Sequence, residues 1–381
     1  MERANLDCAM ARQARYTAEF GKKILAGMTL QKFIDCISME ELLSIKRVYI
    51  TGCGDSYLAG VAAKKAFETL SGVECVPTKC SELARHMDAK AFGTDPKPLV
   101  IGISISGTVS RVAEALTRAA KHGANTLAIT DHPESIVGQA AAHTLALDMP
   151  QLEPCAGVCS YVASTLALMC LANRIGIVRG LHTLEYTSTF EKHITDYCDA
   201  VAAKMEEIEE ASYQAALALK DKKAFDFVAD GLSAATSHFG AAKLVELIGA
   251  CNSIDDCEDW CHINYFINEP EKIGTFVIID KDSQSMSRTL EVIGTMVNIG
   301  RDPFVVTDAD PAIFPAGAHV LSLPEADVDW VKPMLQHVHF NFIAGFLSEL
   351  TGIPAFRAFE GSVWKTEEGS SHIKDSQIVI Y

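Results

Sequence analysis

Short apolar runs that end at glycine alternate along the chain with stretches whose apolar residues recur at helical spacing. The segments 47–54 and 225–231 are apolar runs of this kind. Within 110–122 the apolar residues fall on one helical face, and 126–130 has the pattern of a further strand. Strands that alternate with amphipathic helices predict an α/β protein, in which a parallel sheet is covered by helices on both faces.

The same landmarks occur twice at a constant offset of 177 residues. Five pairs of matching positions share this offset: Gly54 and Gly231, 99–104 and 276–281, Arg111 and Arg288, Gly123 and Gly300, and Thr130-Asp131 and Thr307-Asp308. A fixed offset with no net insertion between the landmarks predicts two copies of one module.

Three segments follow from this repeat. Residues 1–45 are predicted to be an N-terminal helical segment, 46–185 the first module and 186–381 the second module. A polar helical stretch, 180–222, is a plausible joint between the modules, and the part after Pro354 is an aperiodic tail.

The hydrophobic content and the net charge of the chain limit which partners are expected. With 381 residues, of which 49% are hydrophobic and 22% charged, the chain can bury a large core. Its net charge of −16 repels nucleic acid and anionic membrane, so neither is expected as a general partner. The longest apolar stretch, about 156–178, contains Arg174 and fits a core helix better than a membrane span.

The twelve cysteines are expected to be free thiols. They are spread through a long acidic chain whose N-terminus has no apolar signal core, which predicts a reducing cytoplasm. Cys251, Cys257, Cys261 and His262 lie close in sequence, but their spacing fits no zinc pattern. We therefore expect no metal site.

Two loops of the first module carry glycine and small hydroxyl residues, and each follows a strand and opens a helix. Helix N-termini and serine hydroxyls donate to anions, and glycine lets the backbone approach closely. Helix capping would explain either loop alone, but two equivalent loops favour an anion site. A dinucleotide site is disfavoured because Tyr57 takes the third glycine position of GxGxxG. The candidate anion-binding residues are Cys53, Gly54, Asp55, Ser56, Ser104, Ile105, Ser106, Gly107, Thr108 and, at the start of the apolar helix, Ser160.

The second module offers acid–base chemistry instead. Its equivalent loop, 282–285, has lost the glycine and gained an acid. Lys243 and Glu246 are spaced i and i+3, so they share a helix face, and His262 follows sixteen residues after Glu246. A carboxylate and an imidazole are the pair that shuttles protons on a sugar. By spacing alone, a surface ion pair and an unrelated histidine are the competing interpretation.

Together these motifs resemble the sugar isomerase (SIS) superfamily, in particular the tandem modules of the isomerase half of glucosamine-6-phosphate synthase and of fructoselysine-6-phosphate deglycases. The resemblance covers about residues 40–381 and implies two flavodoxin-like three-layer sandwiches. It implies that 53–56, 104–107 and Ser160 hold a sugar phosphate. It also implies that Glu246 is the enolisation base.

Two further roles come from the resemblance. His262 would assist ring opening, usually in the site of a neighbouring subunit. Lys374, in the motif 372–375, would close over the sugar.

The departures leave the substrate open. Ile105 replaces a polar residue between the two serines, and Thr108 follows Gly107 where the family often has glutamate. The anionic group is therefore expected to be a phosphate, with a sulfonate as the alternative. The sequence contains no glutaminase domain, so ammonia transfer is not expected.

We predict a metal-free and cofactor-free aldose–ketose isomerase that acts on a hexose with an anionic group at C6, as a homodimer or larger homo-oligomer. The first alternative is a deglycase of a 6-phosphorylated fructosamine, which needs the same base. The second is a sugar-phosphate sensor. The presence of Glu246 and His262 disfavours the sensor.

Overall fold

The computed structural model describes residues 2–3, 6–93, 96–222, 224–356 and 376–381. Two five-stranded sheets, all of whose neighbouring strands are parallel, are each accompanied by helices, which confirms the predicted α/β class. The elements are α1 (Ala9–Gly27), α2 (Leu30–Cys36), α3 (Met39–Ser44), β1 (Arg47–Thr51), α4 (Asp55–Ala66), β2 (Glu74–Pro77), α5 (Lys90–Gly93), β3 (Leu99–Ile103), α6 (Ser110–Lys121), β4 (Asn125–Thr130), α7 (Ile136–Gln139), β5 (His143–Ala146), α8 (Cys159–Val178), α9 (Tyr186–Ala203), α10 (Met205–Leu219), β6 (Ala224–Val228), α11 (Ala234–Ile248), β7 (Cys251–Asp255), α12 (Cys257–His262), β8 (Ile273–Ile278), α13 (Met286–Asn298), β9 (Pro303–Thr307), β10 (His319–Ser322) and α14 (Val338–Thr351).

The first sheet has the strand order β2-β1-β3-β4-β5. Its central strand β3 is buried at every position, and β1 is buried at all but its first residue. Continuous burial is what a parallel sheet covered on both faces requires, because no strand face meets water. The carboxyl ends of all five strands therefore point to one edge, where the loops can gather a ligand.

The second sheet repeats this topology, with the order β7-β6-β8-β9-β10. The matching strands begin at, or within a few residues of, the positions given by the offset of 177. The repeat extends to the backbone, because Gly54 and Gly231 both have a positive φ, of +56° and +54°. Gly123 and Gly300 are also both positive, at +100° and +91°. Left-handed backbone of this kind is favourable only for glycine, which explains why these positions match in sequence.

Each of the two compact units is built from segments that are separated in sequence. The first unit contains the first sheet and is formed by 20–152, 160–194 and the chain end 376–381. The second unit contains the second sheet and is formed by the N-terminal residues up to Glu19, by 153–159 and by 195–356. The predicted N-terminal helices are present as α1 to α3, and the predicted polar helices as α9 and α10.

Helix α8 is long and apolar enough to cross a membrane by length and composition, but 89% of its apolar window is buried inside the protein. Arg174 on this helix is itself buried. A helix buried on nearly all sides is typical of a protein core, as expected from the sequence.

Candidate active site

In the first unit, α4 and α6 begin at the two candidate loops without a side-chain cap. Their N-cap residues, Gly54 and Val109, show no side-chain capping bond among the described residues. Helices α2, α3 and α7 of the same unit are capped by the hydroxyls of Thr29, Ser38 and Ser135. Because the first N–H groups of a helix need partners from outside the helix, uncapped helix starts are suited to an anion.

The loop between β3 and α6 contains hydroxyl groups at different depths. Ser104 is 2% exposed, and its Oγ has no hydrogen-bond partner within the described part of the chain. Ser106 Oγ and Thr108 Oγ1 lie 2.9 Å apart at the mouth of the loop. A buried hydroxyl without a partner costs free energy, and a bound ligand would remove that cost.

Gly107 fixes the path of this loop. Its φ is +66°, and a Cβ at this position would lie 1.9 Å from Ser135 Oγ. The Ser135 hydroxyl caps α7 by accepting from the Gly138 N–H. Because the loop backbone is pressed against a capping serine, only glycine fits, and the neighbouring hydroxyls are held in one orientation.

Two cations lie near the loop that follows β1. A hydrogen bond with Cys80 and the charges of Arg111 and Lys79 lower the pKa of the Cys53 thiol to about 7. A positive potential that stabilises a thiolate also attracts other anions. Lys79 Nζ lies 4.1 Å from the centre of the Tyr57 ring. Cys53, Gly54, Asp55 and Ser56 are all at least partly exposed.

Sequence reasoning missed Lys79 and Cys80. Both follow β2, which pairs with β1 so that Pro77 lies beside Ile50. The hydrogen bond from Thr78 N–H to Ile50 O, 2.8 Å long, continues this register. The signal was the same strand-end rule that identified the other two loops, since β2 also ends at this edge. We name the loops 52–56, 78–80 and 104–108 together the anion cradle.

Ser160 lies at the second position of α8 and is partly exposed. Its neighbour Tyr161 is buried, and burial together with the charge of Asp55 raises the pKa of the Tyr161 phenol. The first turn of α8 is thus close enough to the cradle loop 52–56 to be affected by its charge.

In the second unit, Lys243 and Glu246 form the predicted pair on one face of α11. Lys243 Nζ donates to Glu246 Oε2 at 2.6 Å. The lysine side chain is fully buried, whereas that of Glu246 is 32% exposed. Lys243 Nζ also lies 4.7 Å from the centre of the Phe239 ring. A buried ammonium that holds a partly exposed carboxylate is an arrangement that positions an acid–base group rather than a solvated surface pair.

His262 ends α12 and is exposed. The helix is held at its start by Asp256, whose carboxylate accepts from the Glu258 and Asp259 N–H groups. It is held at its centre by Trp260, whose Nε1–H donates to the buried Asp226 carboxylate at 3.1 Å. Asp226 in turn pairs with the buried Arg301 at 2.5 Å. The imidazole is therefore presented to solvent from a rigidly anchored turn, in the same unit as Glu246.

The strand ends of the second sheet differ from the anion cradle. Lys332 is 3% exposed and lies within 3.6 Å of four aspartates. Despite its burial, which disfavours the charged form, Asp308 and Asp280 raise the pKa of Lys332. The aspartates of this cluster are Asp280, Asp282, Asp308 and Asp329. An internal cation neutralised by carboxylates leaves no positive site for a ligand, as the acidic loop 282–285 predicts.

The remaining predictions concern Lys374 and the cysteines close to His262 in sequence. Lys374 lies outside the described residues. Cys251 is exposed, Cys257 is buried and Cys261 is partly buried. Across the described residues, no group of three or more His, Cys, Asp or Glu side chains is arranged to hold a metal ion.

Comparison with known proteins finds one recurrent domain. The family model of the SIS domain matches residues 41–174. The chain is 25% identical over 323 residues to a glutamine–fructose-6-phosphate aminotransferase (isomerizing) of Methanosarcina acetivorans, covering 81% of this chain and 49% of that protein. It is 30% identical over 158 residues to the enzyme of that name from Geobacillus kaustophilus, covering 42% and 26%. The chain thus spans no more than about half the length of these relatives.

Solved structures superpose on both units. The C-terminal domain of glucosamine-fructose-6-phosphate aminotransferase from Francisella tularensis superposes with a TM-score of 0.81 at 16% identity, covering 92% of this chain and 99% of that chain. A tagatose-6-phosphate ketose/aldose isomerase from Escherichia coli gives a TM-score of 0.70 at 13% identity, covering 95% and 99%. Because the identities are this low, the superpositions establish the fold alone.

Proposed function

Residues 41–174 match the SIS domain, and from that match we propose that the chain is an aldose–ketose isomerase acting on a hexose with a phosphate, or alternatively a sulfonate, at C6. The observation that carries the proposal is the pair formed by Lys243 and Glu246, in which a fully buried ammonium fixes a partly exposed carboxylate at 2.6 Å. The names of the relatives and of the superposed structures, which include sugar-phosphate isomerases, support the same class of substrate.

In this proposal the anion cradle binds the charged end of the open-chain sugar. The uncapped starts of α4 and α6, the buried Ser104 hydroxyl and the charge of Lys79 support that role. Binding the end remote from the reacting carbons positions the sugar, and positioning supplies part of the rate acceleration. Ser106, Thr108 and Ser160 would add hydroxyl donors.

Glu246 would then move a proton between C2 and C1. For an aldose, the carboxylate takes the C2 proton as the electrons shift to the C1 carbonyl oxygen, which gives the anion of a cis-enediol. The proton of the C2 hydroxyl moves to the C1 oxygen, the C2 oxygen becomes the carbonyl, and Glu246 returns its proton to C1. Lys243 would keep the carboxylate in place and stabilise the developing charge. His262 would open the pyranose or furanose by giving a proton to the ring oxygen, as the bond from that oxygen to the anomeric carbon breaks and the anomeric hydroxyl gives its proton to water. These steps require no cofactor.

The working unit is proposed to be a homodimer or larger assembly. Ile263, Tyr265 and Phe266 directly follow His262 and are 60%, 41% and 72% exposed. Exposed apolar side chains next to a functional residue support contact with a second copy of the chain. If His262 acts in the neighbouring subunit's site, a hybrid formed by mixing the inactive Glu246→Gln and His262→Ala proteins should regain activity. The same two proteins, mixed under conditions that prevent subunit exchange, should stay inactive.

Proton NMR in heavy water tests the proposal. The panel is glucose and fructose 6-phosphates, a 6-sulfonated glucose and a fructosamine 6-phosphate. Deuterium that enters C1 or C2 without loss of amine supports the isomerase, and the responding sugar identifies the anionic group. Release of free amine would instead establish the deglycase. No exchange with any sugar, combined with tight binding of one of them, would establish the sensor.

A further inference from the structure

Two cysteines lie at neighbouring strand ends of the first sheet. Cys53 and Cys80 each stand three residues beyond a register pair, Ile50 and Pro77, of the parallel strands β1 and β2. Neighbouring strands are about 4.8 Å apart, which falls in the range of about 4.4–6.8 Å between the Cα atoms of disulfide-linked cysteines. The two thiols are also close enough for each to shift the pKa of the other. The offset of the strands therefore brings the two sulfur atoms together.

The two thiols have different environments. Cys53 is exposed in the cradle loop 52–56, whereas Cys80 is 4% exposed. The contact with Cys80 and the charges of Arg111 and Lys79 lower the pKa of Cys53 to about 7, and the contact with Cys53 together with burial raises the pKa of Cys80. An exposed thiol that ionises near neutral pH attacks oxidants, and a neighbouring buried thiol can resolve the product.

We propose that Cys53 and Cys80 form a dithiol that a hydroperoxide oxidises to a disulfide, and that this bond closes the anion cradle. The Cys53 thiolate attacks the outer peroxide oxygen, the O–O bond breaks, and the departing oxygen takes up a proton to leave as water or an alcohol. The resulting sulfenic acid is attacked by the Cys80 sulfur. The S–O bond breaks, and the hydroxide leaves as water with the Cys80 proton. One peroxide is reduced for each dithiol oxidised.

Closure follows from the positions of the residues. The disulfide would draw the exposed Cys53 toward the buried Cys80. It would also tie the loop 52–56 to the loop 78–80, so the start of α4 could no longer adjust to an anion. This effect on binding rests on the proposed function of the cradle, whereas the formation of the disulfide does not.

The experiment treats reduced, desalted protein with hydrogen peroxide and analyses non-reduced peptides by mass spectrometry. The expected product is a single link between Cys53 and Cys80 that dithiothreitol reverses. In the Cys80→Ser protein, the sulfenic acid at Cys53 should persist and be trapped by dimedone. Cys251 is also exposed but lies on β7, so Cys251→Ser is the matched control and should form the link at the wild-type rate.

Calorimetric binding of inorganic phosphate separates the two parts of the proposal. Oxidised protein should bind phosphate about tenfold more weakly than reduced protein, and the Cys251→Ser protein should show the same difference. Absence of the link, or equal oxidation of Cys53 and Cys251, would overturn the dithiol. A link that leaves phosphate affinity unchanged would overturn closure. Failure of reduced protein to bind phosphate, with the link present, would overturn the cradle and keep the dithiol.

Discussion

The two sheets of this protein share one strand order but carry opposite charges at their strand ends. At the first sheet, two helices begin without a side-chain cap and the buried Ser104 hydroxyl has no partner among the described residues, and the charge of Lys79 lies nearby. At the second sheet, four aspartates surround the buried Lys332. The duplicated fold therefore determines where a ligand can bind, and the loop residues determine whether it does.

The comparison also separates binding from chemistry. The second unit has replaced a ligand cradle by an internal ion cluster, yet it contains the Lys243–Glu246 pair and the anchored His262. In the first unit, the positions that match Lys243 and Glu246 are Ala66 and Thr69, and the nearby Lys64 and Glu68 form an exposed pair at 3.9 Å. Under the proposed function, the first unit would bind the anion and the second unit would supply the acid–base groups.

Glu246→Gln is expected to have the largest effect. The amide keeps the size of the side chain but cannot accept the sugar proton, so kcat should fall by about 10²–10⁴. Deuterium exchange at C1 and C2 measures this step directly. Glu349→Gln, at a glutamate of α14 in the same unit, should leave exchange at the wild-type rate.

Lys332→Met should lower the free energy of unfolding by about 3–5 kcal/mol, because it leaves buried carboxylates without their cation. Urea denaturation measures the loss.

Burial already raises the pKa of Asp280, so its protonated form is favoured in the folded state. The variant should therefore gain stability as the pH falls from 7 toward 5, and a loss over that range would contradict the account. Adding Asp308→Asn should restore part of the stability.

Lys79→Ala should weaken binding of the phosphorylated sugar by about tenfold, since a charge-assisted contact contributes roughly 1.5–3 kcal/mol and solvent screens part of it. The effect should appear in KM and leave kcat nearly unchanged. Lys97→Ala removes another exposed lysine of the same unit and serves as the control. An equal rise of KM in both variants would reduce the role of Lys79 to general charge.

Trp260→Phe should have the smallest effect. It keeps the aromatic packing but removes the hydrogen bond to Asp226, at a cost of about 1 kcal/mol in stability. Because α12 remains capped by Asp256, the variant should keep most of its activity. Thermal unfolding and kcat, measured together, check both statements. A large drop in kcat with little loss of stability would mean that Trp260 contacts the substrate.

The features that could be predicted are those that depend on a regular pattern along the sequence. The strands, the helices and the 177-residue repeat follow from local periodicity and from matching glycines such as Gly54 and Gly231. The pair of Lys243 and Glu246 follows from helical spacing. Lys79 and Cys80 were missed because their relation to Cys53 depends on the register between β1 and β2, which the chain does not reveal locally.

The cluster around Lys332 was hidden for the same reason. Asp280, Asp282 and Asp308 come from the loops after β8 and β9, whereas Asp329 shares with Lys332 the segment that precedes α14. Only the folded sheet brings these segments to one edge. The acidic loop 282–285 indicated that this edge would not bind an anion, but it did not indicate that a lysine of the same chain would fill it.

The proposed roles of the two units, anion binding in the first and proton transfer in the second, are tested most directly by measuring sugar-phosphate affinity and deuterium exchange on the same two variants. The account predicts that Lys79→Ala loses affinity and keeps exchange at saturating sugar, whereas Glu246→Gln keeps affinity and loses exchange. Loss of affinity in Glu246→Gln with exchange retained at saturation, or full affinity in Lys79→Ala with exchange lost, would contradict it.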